Sequence, residues 1–150
     1  MLYIASDHGG FKLKEDLKKV LDKKNIQYTD LGPKKVNLSD DYPDYAKLVA
    51  QQVSKSPIKN SGILICRSGQ GVCIVANKFK RVRAALVWNL AEAKISRNDD
   101  MSNVLCLPAD YVSSKKAILL VESWLNTPFS KELRHKRRIK KIEQIEDTKV

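Results

Sequence analysis

The sequence predicts a three-layer α/β/α fold with a five-stranded, parallel, Rossmann-like sheet. Five apolar segments, each five or six residues long, alternate with helical patterns along the chain. A strand followed by a helix, repeated five times, favours a parallel sheet with helices on both faces. No internal repeat, low-complexity tract or linker interrupts the pattern, so we expect one domain over residues 1–150.

The predicted strands are short apolar runs rich in branched residues, and glycine, proline or polar residues end them. They cover Leu2–Ser6, Ile26–Leu31, Gly62–Cys66, Val82–Val87 and Asn103–Leu107. Ligands of such sheets bind beyond the carboxyl ends of the strands. The candidate site therefore consists of the residues that follow the first, third and fourth strands: Asp7 to Gly10, Cys66 to Gly71, and Trp88 with Asn89.

The predicted helices carry apolar residues on one face and lysines elsewhere, as in the first of them. They cover Phe11–Lys24, Pro43 to Ser54, Val72 to Lys78, Leu90–Arg97, Ser113 or Ser114 to Leu125, and a last helix to about Ile145. Ser130 is expected to cap the last helix, and Trp124 to pack inward. The last helix has few apolar positions and many charges, so we expect it to pack on a partner chain.

The composition, 43% hydrophobic and 30% charged, is typical of a folded soluble domain. No apolar run approaches the ~18 residues of a membrane helix, and the first residues lack the features of a signal peptide. We therefore expect a cytoplasmic protein without a membrane partner. The three cysteines form no CxxC pair and predict neither disulfides nor a metal site. Two of them, Cys73 and Cys106, are expected to pack in the core.

Much of the net charge of +11 lies in one basic stretch, residues 131–141. A basic stripe of this kind attracts nucleic acid, but no aromatic residues are interleaved with it and no nucleic-acid motif is present. A nucleic-acid partner is therefore not expected. The alternatives are a solvated helix face and the capture of a phosphate group. Arg134 and Arg138 are four residues apart on one helix face, a spacing that suits phosphate binding.

Residues 61–78 combine a buried strand, a glycine loop and an apolar helix. Backbone N–H groups and a helix N-terminus then surround the strand end, where Cys66 lies. Together with Arg67 they favour a thiolate, which makes Cys66 a candidate base or nucleophile acting on a phosphorylated small molecule. The alternative is a tight turn carrying a structural thiol. The pattern formed by Gly69 and Gly71 lacks the third glycine and the acidic residue of a dinucleotide-binding motif. We therefore reject NAD binding.

Asp7 and His8 follow the first strand and precede two glycines, which allow a ligand to approach the backbone. A histidine beside a carboxylate can transfer protons or bind phosphate near neutral pH. The alternative is a helix cap at Asp7 with an incidental surface histidine. His8 and His135 are the only two histidines, so any imidazole chemistry requires one of them.

Six segments, in order along the chain, carry a resemblance to a known family. They read IASDHGGFKLK, DYPDYA, GILICRSGQGVCIVANK, VRAALVW, SRNDDMSNVL and NTPFSKELRHKRRI. Together they resemble the type B ribose-5-phosphate isomerases and their relatives, the galactose-6-phosphate isomerase subunits. The resemblance extends over nearly the whole chain, to about Glu146.

The resemblance implies a cofactor-free aldose–ketose isomerase that interconverts ribose 5-phosphate and ribulose 5-phosphate. It implies a homodimer with sites between subunits, and leaves open whether dimers pair into tetramers. Cys66 is implied as the base that moves a proton between C1 and C2 through an enediolate, assisted by Ser68, with N–H groups around Gly69 and Gly71 stabilising the oxyanion. The residues implied for the sugar and its phosphate are Asp7, Tyr42, His8 and, from the partner chain, Arg134 and Arg138.

Three features depart from the family pattern. Asp99 and Asp100 replace a His-Asn pair whose histidine opens the sugar ring, so Asp99 becomes a candidate catalytic acid, with Asp100 beside the substrate. Asp110 replaces an arginine that binds phosphate. Arg67 replaces a small residue, and we expect its charge to compensate for the lost arginine.

These departures leave other functions open. One is isomerisation of another sugar phosphate, such as allose 6-phosphate or galactose 6-phosphate. A second is a catalytically silent sugar-phosphate-binding relative, against which the retained Cys66 argues. A third, motivated by charge alone, is an α/β domain that binds nucleic acid through its basic tail.

Overall fold

The fold is known from a computed structural model that describes residues 1–148, and it consists of one sheet between two layers of helices. The strands are β1 (Leu2–Ser6), β2 (Tyr28–Asp30), β3 (Ser61–Cys66), β4 (Ala84–Leu86) and β5 (Val104–Pro108). The helices are α1 (Phe11–Lys23), α2 (Tyr42–Lys55), α3 (Gln70–Ala76), α4 (Leu90–Asn98), α5 (Ser114–Asn126) and α6 (Leu133–Asp147). The strand order is β2-β1-β3-β5-β4, and every neighbouring pair is parallel. The predicted three-layer fold is confirmed.

The two faces of the sheet bury separate apolar clusters, because successive side chains of a strand point to opposite faces. Ile63 and Ile65 of β3 pack with residues of α1 and α5 on one face, whereas Leu64 packs with α2 and α3 on the other. Trp124 of α5 is fully buried, as predicted, and its Nε1 donates a hydrogen bond to Ser102 Oγ at 2.8 Å. Cys106 belongs to the second cluster, confirming its predicted packing role.

The two edge strands are shorter than predicted. The segments Ile26–Leu31 and Val82–Val87 contribute only the three residues of β2 and of β4 to the sheet. An edge strand pairs with a single neighbour, so its length is limited by the register of that one ladder. Val82 and Val87 are nevertheless buried, which explains why their apolar pattern extended the prediction.

The last helix begins later than predicted and contacts its own chain. Ser130 does not cap it: α6 starts at Leu133, and the Ser130 hydroxyl instead lies 2.6 Å from Nδ1 of His135. Near its other end, Glu146 accepts a hydrogen bond from the backbone N–H of Arg81 at 2.8 Å. The first apolar residue of α6, Leu133, is 82% exposed. Packing of this helix on a partner chain remains a prediction.

Among residues 1–148, no helix combines the length and the apolar character needed to cross a membrane.

Candidate active site

Cys66 lies at the carboxyl end of the central strand β3, opposite Pro108 of β5, and is 5% exposed. The chain then turns through Gly69, whose φ of 71° places it in the left-handed region that favours glycine. A Cβ at this position would also lie 2.5 Å from Leu86 Cδ1. The backbone conformation and the lack of space both require glycine here, so the loop presents its N–H groups above the strand ends.

The neighbouring loop after β1 is tied to the cysteine loop. A Cβ on Gly9 would lie 2.5 Å from Cγ of Arg67, so the missing side chain of Gly9 makes room for the Arg67 stem. Asp7 is 7% exposed, and its Oδ1 accepts a hydrogen bond from the backbone N–H of Gly10 at 3.0 Å. Burial raises the pKa of the Asp7 carboxyl, and the charge of Asp40 adds to this effect.

Asp7 is not the helix cap that the alternative interpretation required. The cap position of α1 is occupied by Gly10, and Asp7 bonds the loop that leads to it. His8 is also not an incidental surface residue. Its Nδ1 lies 2.6 Å from Oδ1 of Asp40, and only 24% of its side chain is exposed.

Tyr42, the first residue of α2, reaches the same edge of the sheet. Its ring lies where a side chain on Gly71 would be, with its Cζ 2.6 Å from the position of a Cβ. The Ser68 hydroxyl accepts a hydrogen bond from the N–H of Gln70 at 3.4 Å, within the same loop. The structure thus gathers eight predicted site residues at the carboxyl edge: Asp7, His8, Tyr42, Cys66, Arg67, Ser68, Gly69 and Gly71.

Arg67 turns its guanidinium toward Asp110, with Nη1 3.8 Å from Oδ2. The side chain of Arg67 is 69% exposed and that of Asp110 is 50% exposed. The positive charge predicted to compensate for Asp110 is therefore adjacent to it, at the rim of the cysteine loop.

The remaining predicted residues lie at the amino ends of the strands, opposite the end where Cys66 lies. Helix α4 follows the carboxyl end of β4 and returns to the amino end of β5, so Asp99 and Asp100 stand at that amino end. The segment before α6 contacts the end of α4, because the Ser130 N–H donates a hydrogen bond to the Asn98 carbonyl oxygen at 3.0 Å. Arg134 and Arg138 are on the first turns of α6, and Arg134 Nε contacts Glu132 at 2.8 Å.

The two groups of residues are separated by about the length of a five-residue strand, roughly 16 Å. Asp99, Asp100, Arg134 and Arg138 therefore cannot act on a ligand beside Cys66 of the same chain. A site that uses all of them needs a second chain.

The structure shows contacts of two residues to which the sequence interpretation gave no role. Asp40 contacts His8 from the loop between β2 and α2, which is polar and has no periodic pattern. His135 is 2% exposed, and its Nε2 lies 3.8 Å from Oδ2 of Asp99. Its position between two arginines of the resembling motif was the one available signal.

Comparison with known proteins assigns the family. A family model described as Ribose/Galactose Isomerase matches residues 2–142. The chain belongs to the ribose/galactose isomerase family. The assignment made from the six sequence motifs, and with it the prediction that the protein is a sugar-phosphate isomerase, is confirmed.

Relatives agree with this assignment along the whole chain. A Mycoplasma genitalium protein named "Probable ribose-5-phosphate isomerase B" is 45% identical over 141 residues, which cover 94% of this chain and 92% of that protein. The crystal structure of ribose-5-phosphate isomerase B from Mycoplasma genitalium with bound ribulose-5-phosphate has a TM-score of 0.95 at 44% identity, and the match covers 99% of this chain and 97% of that one. The Clostridium thermocellum ribose-5-phosphate isomerase B has a TM-score of 0.91 at 37% identity, covering 97% and 96%.

Proposed function

We propose that this protein is a cofactor-free aldose–ketose isomerase that interconverts ribose 5-phosphate and ribulose 5-phosphate. The observation that carries the proposal is the cluster of predicted site residues around Cys66 at the carboxyl edge of the sheet. The relative from Mycoplasma genitalium whose structure holds ribulose-5-phosphate supports this choice of sugar.

In the proposed reaction, the thiolate of Cys66 removes the proton from C2 of the open-chain aldose. The carbonyl oxygen on C1 gains a proton and the C2 hydroxyl loses one through the enediolate, and the thiol then returns its proton to C1. Loop N–H groups around Gly69 and Gly71, with the Ser68 hydroxyl, stabilise the charge on oxygen. The 5% exposure of Cys66 limits water at the reacting carbons, which protects the enediolate.

We infer that the active unit is a homodimer. The carboxyl edge of one chain supplies Cys66, Asp7 and Tyr42, and the amino edge of its partner supplies Asp99, Asp100 and the two arginines of α6. The roughly 16 Å between these edges within a chain supports this arrangement, as does the exposure of Leu133 at the start of α6, 82%.

Asp99 is proposed to open the sugar ring: its carboxyl donates a proton to the ring oxygen as the bond from that oxygen to C1 breaks, and the C1 hydroxyl releases its proton to water as the carbonyl forms. Asp100 is proposed to contact the sugar. The buried imidazole of His135, itself held by Ser130, lies 3.8 Å from the Asp99 carboxyl.

The proposed phosphate site combines His8 with Arg134 and Arg138 of the partner chain. Guanidinium groups on one helix face suit a phosphate dianion. The cytoplasm is the proposed location, because all three cysteines are free and lie within the described residues, which fits a reducing compartment.

Conversion of ribose 5-phosphate by the purified protein tests the proposal. We expect ketose formation without added metal or cofactor, and measurement of ribulose 5-phosphate by a coupled or colorimetric assay checks it. If a correctly folded protein gives no ketose, ribose 5-phosphate is the wrong substrate. Allose 6-phosphate and galactose 6-phosphate then distinguish an isomerase of another sugar from a silent binder.

Replacing Arg67 with glycine should raise the KM for ribose 5-phosphate several-fold, about 3- to 10-fold, with a smaller change in kcat. The exposed guanidinium beside Asp110 offsets the negative charge that this residue brings to the rim of the site, and exposed charges have modest effects. Lys19→Ala, which removes a cation that is 77% exposed from the outer face of α1, is the control and should leave KM unchanged. Parental kinetics for Arg67→Gly would show that Arg67 does not compensate for Asp110.

A further inference from the structure

A buried carboxylate stands behind His8. Asp40 precedes α2 and is 32 residues from His8 in sequence, yet its side chain is only 4% exposed. One oxygen, Oδ1, lies 2.6 Å from Nδ1 of the His8 ring and accepts the His8 backbone N–H at 3.1 Å. The same oxygen therefore fixes both the backbone and the ring orientation of His8.

We propose that Asp40 is the positioning residue of His8, which fixes a proton on Nδ1 and leaves Nε2 as the ring nitrogen that meets the phosphate of the substrate. An ionised carboxylate accepts hydrogen bonds and donates none, so the proton of this contact belongs to Nδ1. The exposed 24% of the His8 side chain and the 4% of Asp40 place the carboxylate on the inner side of the ring.

His8 is the basic neighbour of Asp40. Within residues 1–148, no other basic side chain lies within 4 Å of the Asp40 carboxyl. The groups nearest to it otherwise are acidic or neutral: burial and then the charge of Asp40 raise the pKa of Tyr45, and Asp40 also adds to the raised pKa of Asp7.

A buried carboxylate is costly without a cation. Oδ2 of Asp40 has no hydrogen-bond partner within residues 1–148, and besides His8 the carboxyl has the neutral Tyr45 hydroxyl beside it. With Nδ1 held by Asp40, Nε2 is the ring nitrogen left for the ligand, and in the protonated ring its N–H can donate a charge-assisted hydrogen bond to a phosphate oxygen. The ligand named here rests on the proposed function, whereas the geometry of the pair does not.

The tautomer of His8 can be measured without any assay of activity. The chain has only two histidines, so ¹⁵N–¹H long-range spectra of ¹⁵N-histidine-labelled protein contain two imidazole patterns, and His8→Gln assigns them. At a pH where His8 is neutral, we expect the Nδ1–H tautomer in the parent and the Nε2–H tautomer in Asp40→Ala. The Nε2–H tautomer in the parent, or an unchanged tautomer in Asp40→Ala, overturns the proposal.

Kinetics test what the pair does. Asp40→Asn keeps the size of the side chain and removes its charge, and we expect the KM for ribose 5-phosphate to rise about tenfold with kcat within about twofold, the effect of one weakened charge-assisted hydrogen bond. Competitive inhibition by inorganic phosphate should weaken by a similar factor.

Asp44→Asn is the matched control, because Asp44 is exposed and its one ion pair among residues 1–148 is with Lys47, at 2.6 Å. It should leave both constants unchanged. A fall in kcat at constant KM in Asp40→Asn, or unchanged phosphate inhibition, overturns the phosphate role. If the protein isomerises a different sugar phosphate, the tautomer result still decides the role of Asp40, so the two proposals fail separately.

Discussion

Cys66→Ala is expected to lower kcat for ribose 5-phosphate by about 10³-fold, within the range that a positioned base contributes. No other thiol can take over. Cys106 is fully buried in the core, and Cys73 lies a helical turn into α3 with its Sγ 3.4 Å from the carbonyl oxygen of Ala84. The measurement is initial-rate formation of ribulose 5-phosphate by parent and variant at matched protein concentration.

The fold should survive this substitution. Alanine removes a single sulfur from a site at the rim of the second apolar cluster, a loss of about 1 kcal/mol in the free energy of unfolding. Cys73→Ala is the matched control, since it removes a thiol from the same cluster without touching the strand end, and it should keep activity within about twofold. Turnover that persists in Cys66→Ala would show that another group is the base.

Mixing two inactive variants is expected to restore activity. One variant carries Cys66→Ala, and the other carries Arg134→Ala with Arg138→Ala. If each site takes its cysteine from one chain and its arginines from the other, a mixed dimer has one intact site and one site lacking all three groups. Random pairing makes half of the dimers mixed, so co-refolded or co-expressed chains should show about a quarter of parental activity.

The control pairs Cys66→Ala with Asp7→Ala. Both residues lie at the carboxyl edge of the same chain, so each site of a mixed dimer carries one defect and activity should not return. Lack of recovery in the arginine mixture, with mixed dimers demonstrated by mass spectrometry, would contradict the shared site. Recovery in the Asp7 mixture would show that one site takes Asp7 and Cys66 from different chains.

The central part of the fold was predictable because its signals are local. The run that forms β3 and the glycines that follow it define a strand, a turn and a helix within one short stretch, and Gly69 proves to be in the left-handed conformation that this turn needs. The edge strands were predicted too long, since apolar residues such as Val82 are buried outside the ladder. The prediction that Ser130 caps the last helix was wrong, because the Ser130 hydroxyl instead contacts the ring of His135.

By itself, the sequence determined the fold class, the family and the residues that follow the central strand. The strand and helix periods and the order of the motifs are local patterns, which can be read without the structure. Only the tertiary structure decided which of the candidate residues meet. The return of α4 carries Asp99 to the edge of the sheet opposite Cys66. The pairing of His8 with Asp40 depends on the path of an irregular loop across 32 positions. Contacts of this kind are set by the packing of distant segments, which no local pattern records.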